Sequence, residues 1–367
     1  MTFDADVIVV GLGIHGSATA YALAERGVSV LGLEQFEPSH TRGSSHGATR
    51  MIRRAYPNPV WNPLVDRAFA SWRRWEAASG QSLITTTGGL YAHAEPGSLQ
   101  GPGTSAVTDF GVMPGLAVPD GFSAVYDPEA GVVEAAKALE FARAEATRLG
   151  ADLRFGVTLE SWTETDDGVT VVTSAGTFRA GRLVLALGPW VGSTIPELAA
   201  YFEVWRIITV VADLGQTDAA PPSLGTFSVN LPDGLVFGLP EVGGHGLKLG
   251  IDAGPVWDPR EPLTPPTVDE VERLRGLLQR FVPTADVEHL DAVSCLYTMT
   301  PDKRFVVGPL PWAPRVVVAA ACSGHGFKFG PAIGDAVADI TTGVARPDLD
   351  FLAVERFATA ALETEQP

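Results

Sequence analysis

The residues with the clearest chemistry sit at the two ends of the chain. Near the start is Gly11-Leu-Gly13-Ile-His-Gly16, and Glu34 lies 18 residues beyond Gly16. This spacing suits a dinucleotide: Gly11 for the tight turn, Gly13 for close approach of a pyrophosphate, Gly16 for helix–strand packing, and the acid for ribose hydroxyls. A helix starting there points free N–H groups and a partial positive charge at the phosphates. Near the end is Ser323-Gly324-His325-Gly326-Phe327-Lys328-Phe329, a second glycine-rich turn carrying a cation. Between them lie a basic loop at 39–56 with Arg50 and Arg53, a lysine flanked by glycines (Gly246-Leu-Lys248-Leu-Gly250), and a thiol two residues before a phenol (Cys295-Leu-Tyr297). An arginine fork suits a carboxylate, and a fixed lysine cation suits charge developing on a reacting group. A free cysteine is more often a small buried hydrophobe than a nucleophile.

The flanking elements support the dinucleotide reading. Asp6–Val10 is an apolar run typical of a strand buried on both faces, 17–26 is Ala/Leu-rich and helical up to Gly27, and 28–33 is a second strand. Helices are predicted at 60–79, 135–149 and 269–281, and short strands at 153–161 and 168–173. Residues 94–121, rich in Gly, Pro and Ser, read as loop. From 202 to 252 the pattern changes to strands and tight turns, as in an antiparallel sheet. The end returns to strand (315–321), glycine turn and helix (331–342). An acid at 34 disfavours a 2′-phosphate and leaves NAD and FAD. The N-terminal position of the motif, and a second helix start able to aim at the same cofactor, favour FAD.

Composition narrows the partners. The 367 residues carry a net charge of −17, which disfavours nucleic acid and anionic membrane. Two cysteines, Cys295 and Cys322, form no disulfide framework and point to a reducing compartment. The N-terminus lacks the basic region of a signal peptide, and no apolar run is long enough for a membrane helix. A cytoplasmic protein, monomeric or a small homo-oligomer, is expected. The histidines show no metal-ligand spacing, so no metal is expected.

Three stretches, 6–56, 246–250 and 295–329, resemble the monomeric sarcosine oxidase and N-methyltryptophan oxidase family of flavoenzymes. Their order and spacing run through nearly the whole chain. The resemblance implies an α/β plus α+β fold, with a Rossmann-type FAD-binding domain (1–86, 136–201 and 300–367) interleaved with a mainly antiparallel-sheet substrate domain (87–135 and 202–299). It implies that FAD oxidises the C–N bond of a secondary amino acid, with hydride passing to flavin N5. O2 then becomes H2O2, and the imine hydrolyses to amine and aldehyde. No dedicated general base is visible, which suits an amine that is already deprotonated.

The same resemblance assigns roles. Cys295 carries the flavin through a thioether, Lys248 assists O2, and Arg53 and Lys328 hold the substrate carboxylate. Ser44, His46, Arg50, Gly324, Gly326 and Phe327 contact the cofactor, and Tyr297 and His325 line the substrate pocket. Cys322 is the weaker attachment candidate and reads as a packing residue. Two positions depart from the sarcosine oxidases: Phe237 replaces a tyrosine and Asp252 a histidine. On a strand Asp252 shares a face with Lys248. It would pair with Lys248, with the substrate ammonium, or with an extra cation on the substrate, so a larger, more basic or cyclic amino acid is as plausible as sarcosine. The other readings are a flavin dehydrogenase with a different electron acceptor, a nicotinamide-dependent dehydrogenase, and a non-catalytic dinucleotide-binding module.

Overall fold

The computed structural model describes residues 2–94, 99–212, 224–320 and 323–359. Its first sheet begins with Ala5–Val10, which pairs in parallel with Val30–Glu34 on one side and Gly176–Leu185 on the other. Asp152–Phe155 extends the sheet beyond Val30–Glu34, and Ala313–Ala320 pairs in parallel with Gly176–Leu185. The apolar run at the start is a strand buried on both faces. Val7 and Val9 pack into the core beneath the helices, whereas Ile8 and Val10 pack into the core on the opposite face.

Helices Ile14–Glu25, Ala135–Arg148 and Gly330–Thr341 cover the first of these faces. The Trp-rich helix Asn62–Ser79 sets Trp72 and Trp75 into the same core. Gly27 and Gly150, both with positive φ, lie just past the ends of their helices as the sequence predicts.

Among the described residues the second sheet has eight strands. Leu290–Met299, Glu203–Ala212, Leu247–Asp252, Gly234–Leu239 and Thr226–Leu231 follow one another in antiparallel pairs. Thr226–Leu231 then pairs in parallel with Gly89–His93, which is followed by Ser123–Asp127 and Ser105–Val107. Helix Val268–Phe281, started by a Thr267/Glu270 capping box, packs Leu274, Leu278 and Phe281 on this sheet. A small third sheet joins Thr49–Ile52, Gly131–Glu134 and Ile84–Thr86. The fold is thus a Rossmann-type α/β unit joined to a mainly antiparallel α+β unit.

Two expectations change. The stretch 94–121 is not all loop: Ser105–Val107 is an edge strand and Phe110–Val112 a short 3-10 turn. The strand expected at 153–161 is two strands, Asp152–Phe155 in the parallel sheet and Leu159–Thr165 in an antiparallel extension.

Register brings the second sheet's reactive groups together. Glu203–Ala212 lies between the strands that carry Lys248 and Cys295. Lys248 pairs with Val211 and Cys295 with Ile207. Positions 207 and 211 share one face of their strand, so both side chains leave the sheet on the same side.

Candidate active site

At the dinucleotide end, backbone shape is set by close contacts and by polar groups that satisfy one another. Gly11 adopts φ +88°, and a Cβ there would collide with the Ala186 carbonyl; one on Gly16 would collide with the Gly11 carbonyl. The helix starts at Gly13 without a side-chain cap, and Ser45 Oγ accepts the Ile14 N–H at 3.0 Å. The two oxygens of Glu34 accept N–H groups from Leu12 (2.8 Å) and Phe36 (3.2 Å), which fixes the turn to the end of the next strand. His15 Nε2 lies 3.2 Å from the Gly326 carbonyl, joining the two glycine-rich turns. Because a carbonyl only accepts, Nε2 carries the proton. Burial holds the ring's pKa down at about 4, so it is neutral. Arg143 donates to the carbonyls of Leu12 (2.5 Å) and Pro38 (2.7 Å) from the neighbouring helix.

The basic loop is built around Arg50. Its guanidinium donates to the carbonyls of Ser44 (2.9 Å), His46 (2.6 Å) and Thr49 (2.8 Å), and it stacks 5.3 Å from the Phe327 ring. Ser44 Oγ donates to the Leu296 carbonyl at 2.6 Å, tying the loop to the strand that carries Cys295. His46 Nε2 is buried with no partner. Burial first, then the charges of Arg50, His40 and Lys248, pull its pKa to about 4.

Arg53 lies between the rings of Tyr56 (5.2 Å) and Tyr91 (5.1 Å) and is 4% exposed. Its Nε is buried without a partner. Lys328 Nζ donates to the His325 carbonyl at 2.9 Å and sits 5.9 Å from the Tyr56 ring. Burial, then the charge of Arg53, drives its pKa well below the ordinary lysine value. Two buried basic side chains around one tyrosine, with no counter-charge among the described residues to hold the proton of Lys328, make a site that favours an anion. His325 lines the cavity, but both its nitrogens are engaged. Nε2 faces the Lys303 carbonyl at 3.0 Å and so donates, which leaves Nδ1 to accept the Tyr56 hydroxyl at 3.2 Å.

On the sheet side, Lys248 Nζ donates to the Thr49 carbonyl at 3.0 Å. Burial, then Arg50, lowers its pKa to about 7. Burial raises the Cys295 thiol, against an opposing pull from Arg50 and Lys248. Tyr297 shares the face of Cys295 and packs over Gly324, where a Cβ would come within 2.6 Å of its ring. Asp252 does line the cavity with Lys248, but the two are not paired. Four positions along a strand separate them by about 13 Å, and the charges acting on Asp252 are Lys303 and Arg53. Asp252 Oδ1 is buried with no partner, and burial raises its carboxyl to about 6.

One cavity of about 680 Å³ gathers these groups. Its lining includes every residue that the sequence singled out for the cofactor or the reaction except Gly16, which packs helix against strand. Phe237 also lines it. Cys322 lies outside the described residues. Among the described residues no cluster of three or more His, Cys, Asp or Glu could hold a metal, and no helix is long and apolar enough to cross a membrane. The sequence reading missed His15, Ser45, Tyr56, Tyr91 and Arg143. Ser45 and Tyr56 were legible as parts of the basic loop; Tyr91 and Arg143 arrive from distant segments without a local signal.

Residues 6–340 match the family model described as FAD dependent oxidoreductase. The chain belongs to this family. It is 32% identical to a monomeric sarcosine oxidase from Bacillus sp. (strain NS-129), with 98% of each chain covered. It is 31% identical to an N-methyl-L-tryptophan oxidase from Yersinia pestis (strain Pestoides F), covering 96% of this chain and all of that one. Among solved structures, NikD, an amino acid oxidase essential for nikkomycin biosynthesis, superposes with a TM-score of 0.82 at 26% identity, covering 96% of this chain and 98% of that one.

The residues present fit the family's FAD. Backbone packing at Gly11 and Gly16 leaves no room for a Cβ and so holds the tight strand–helix turn that a pyrophosphate requires, and the cavity has the volume of a ligand site. Along its wall, His46 Nε2, Arg53 Nε and Asp252 Oδ1 are buried polar atoms that lack partners among the described residues.

Proposed function

We propose that this FAD-dependent oxidoreductase oxidises the C–N bond of a secondary amino acid, N-methyl, N-alkyl or cyclic, with O2 as the final acceptor. The observation that carries this reading is the buried basic pair Arg53 and Lys328, with Arg53 Nε unpartnered, in the cavity that also holds Lys248 and Cys295. Relatives named for sarcosine and N-methyl-L-tryptophan support the same substrate class. The substrate loses two electrons and two protons as C–N becomes C=N. Water then splits the imine into amine and aldehyde, and O2 takes up the electrons and protons as H2O2. When bound, FAD supplies the two-electron relay between amine and O2.

The chain's own residues position and stabilise. Arg53 and Lys328 hold the substrate carboxylate, with Tyr56 fixed between them by its bond to His325. Tyr297 forms an aromatic wall. Lys248, in its protonated form, stabilises negative charge developing on O2. Cys295 is the proposed covalent anchor of the flavin, and residues 1–86, 136–201 and 300–367 the part of the chain that holds it.

Anaerobic bleaching of the purified yellow protein by N-methylated and cyclic amino acids tests the reaction. Bleaching followed by peroxide release in air is expected. Failure of every secondary amino acid to bleach the flavin removes the proposal, and bleaching without peroxide turns it toward the dehydrogenase reading. Acid-precipitated protein is expected to stay yellow; a colourless pellet with free FAD in the supernatant removes the link at Cys295.

A further inference from the structure

We infer that Asp252 selects substrates bearing a second cationic group, separate from the nitrogen that is oxidised. The inference rests on the proposed function and names the substrate class more narrowly. Two carboxylates line the cavity. Glu34 has its oxygens taken up by the N–H groups of Leu12 and Phe36, whereas Asp252 Oδ1 is buried and has no partner. Arg53 Nε, in the same cavity, is also unpartnered. Each of these complementary groups thus keeps one buried atom unbonded, Arg53 Nε and Asp252 Oδ1, so a ligand with both a carboxylate and a cation can satisfy both.

The charges of Lys303 and Arg53 act on Asp252, yet its Oδ1 stays unbonded; three other cations could bond it. Lys248 is committed to the Thr49 carbonyl and stands about 13 Å along the strand from Asp252. The reacting amine is the second. A buried carboxylate holding that nitrogen would stabilise its ammonium form, which has no lone pair to drive electron loss; such an Asp252 would oppose the reaction. The third is a cation elsewhere on the substrate, and it meets neither objection. The class is an α-N-alkyl or cyclic amino acid with an amino or guanidino group on its side chain or N-substituent. Tyr297 and Phe237, on the same cavity wall, offer apolar surface to the intervening methylenes.

The test pairs ligands that differ by one ammonium. Calorimetric titration of the holoenzyme with caproate and ε-aminocaproate, and with the butyrate and valerate pairs, measures binding without turnover. At least one ω-amino acid is expected to bind about tenfold or more tighter than its plain acid. That ratio should fall toward one in Asp252→Asn and persist in Asp252→Glu. Equal affinities throughout the wild-type series overturn the inference without any variant, as does a ratio unchanged in Asp252→Asn. Anaerobic bleaching by α-N-methyl-lysine against α-N-methyl-norleucine separates this inference from the function it rests on. Equal rates sink the selectivity and leave the oxidase reading intact. If no N-methyl or cyclic amino acid bleaches the flavin, the oxidase reading falls and this inference with it.

Discussion

The two ends of the cavity solve opposite problems. Around Gly11 and Glu34 polar groups find partners within the protein: Glu34 with two backbone N–H groups, Ser45 with Ile14, His15 with Gly326, Arg143 with Leu12 and Pro38. Around Arg53 and Asp252 the protein leaves polar atoms buried and unmatched. A satisfied network fixes a shape into which a cofactor fits. An unsatisfied group costs stability until a ligand arrives, and so marks where binding energy is collected. Substitutions at the first end should therefore act through shape and stability, and those at the second through ligands and rate.

The largest effect is expected at Lys248. Lys248→Met should slow reoxidation by O2 about 10²–10³-fold, on the scale of losing a buried charge-stabilising donor, with much less effect on anaerobic reduction. Stopped-flow measurement of the two half-reactions separates them, and equal slowing of both would remove the assigned role. The pKa of about 7 adds a sign: the ammonium loses its proton as pH rises through that value, so wild-type reoxidation should slow with rising pH there. Next is Arg53→Ala, expected to lower kcat/KM about 10²-fold, mainly through KM, by removing a buried carboxylate partner. If KM is unchanged, the carboxylate docks elsewhere.

The comparison sharpens at Glu34. Glu34→Gln keeps the size but replaces a charged acceptor of two N–H groups, and should cost about 1–3 kcal/mol of stability. The expected signature is a lowered Tm and easier loss of FAD, with kcat retained at saturating cofactor. A fall in kcat with unchanged Tm would show that the two ends are not functionally separate.

The same contrast explains what could be read from the sequence. The first end is local: strand, glycine turn, helix, strand and acid follow one another, and each glycine's role is visible from its neighbours. The alternation of Val7 and Val9 against Ile8 and Val10 likewise needs only the strand's own residues. The second end is assembled from separate segments. Lys248 and Cys295 face one cavity because each pairs with Glu203–Ala212 in a particular register, and only the resemblance anticipated that they share a site. Asp252 was legible as sharing a face with Lys248, but not as too far along the strand to pair with it. Tyr91, the second ring against Arg53, comes from a strand with no local sign of its destination. Ser105–Val107 escaped notice because it is a short, largely exposed edge strand, with no apolar run to announce it.

Asp252 itself should give an effect of unusual sign. Its carboxyl titrates near 6 in the folded protein, above the ordinary 3.8, because burial disfavours the charged form more than Lys303 and Arg53 favour it. Well below pH 3.8 the group is protonated whether the chain is folded or not, and carries no penalty. As pH rises from about 4 to 6 the unfolded chain ionises this acid while the folded protein still holds its proton, so stability is lost across that window and the loss is complete above it. Asp252→Asn removes that loss. The ligand-free holoenzyme variant should nearly match wild type near pH 4 and become about 2–3 kcal/mol more stable by about pH 6.5, seen as a Tm difference that opens across that window. A variant less stable at every pH would mean that Asp252 is already paired within the protein, and the contrast between the two ends of the cavity would fail at the residue that best expresses it.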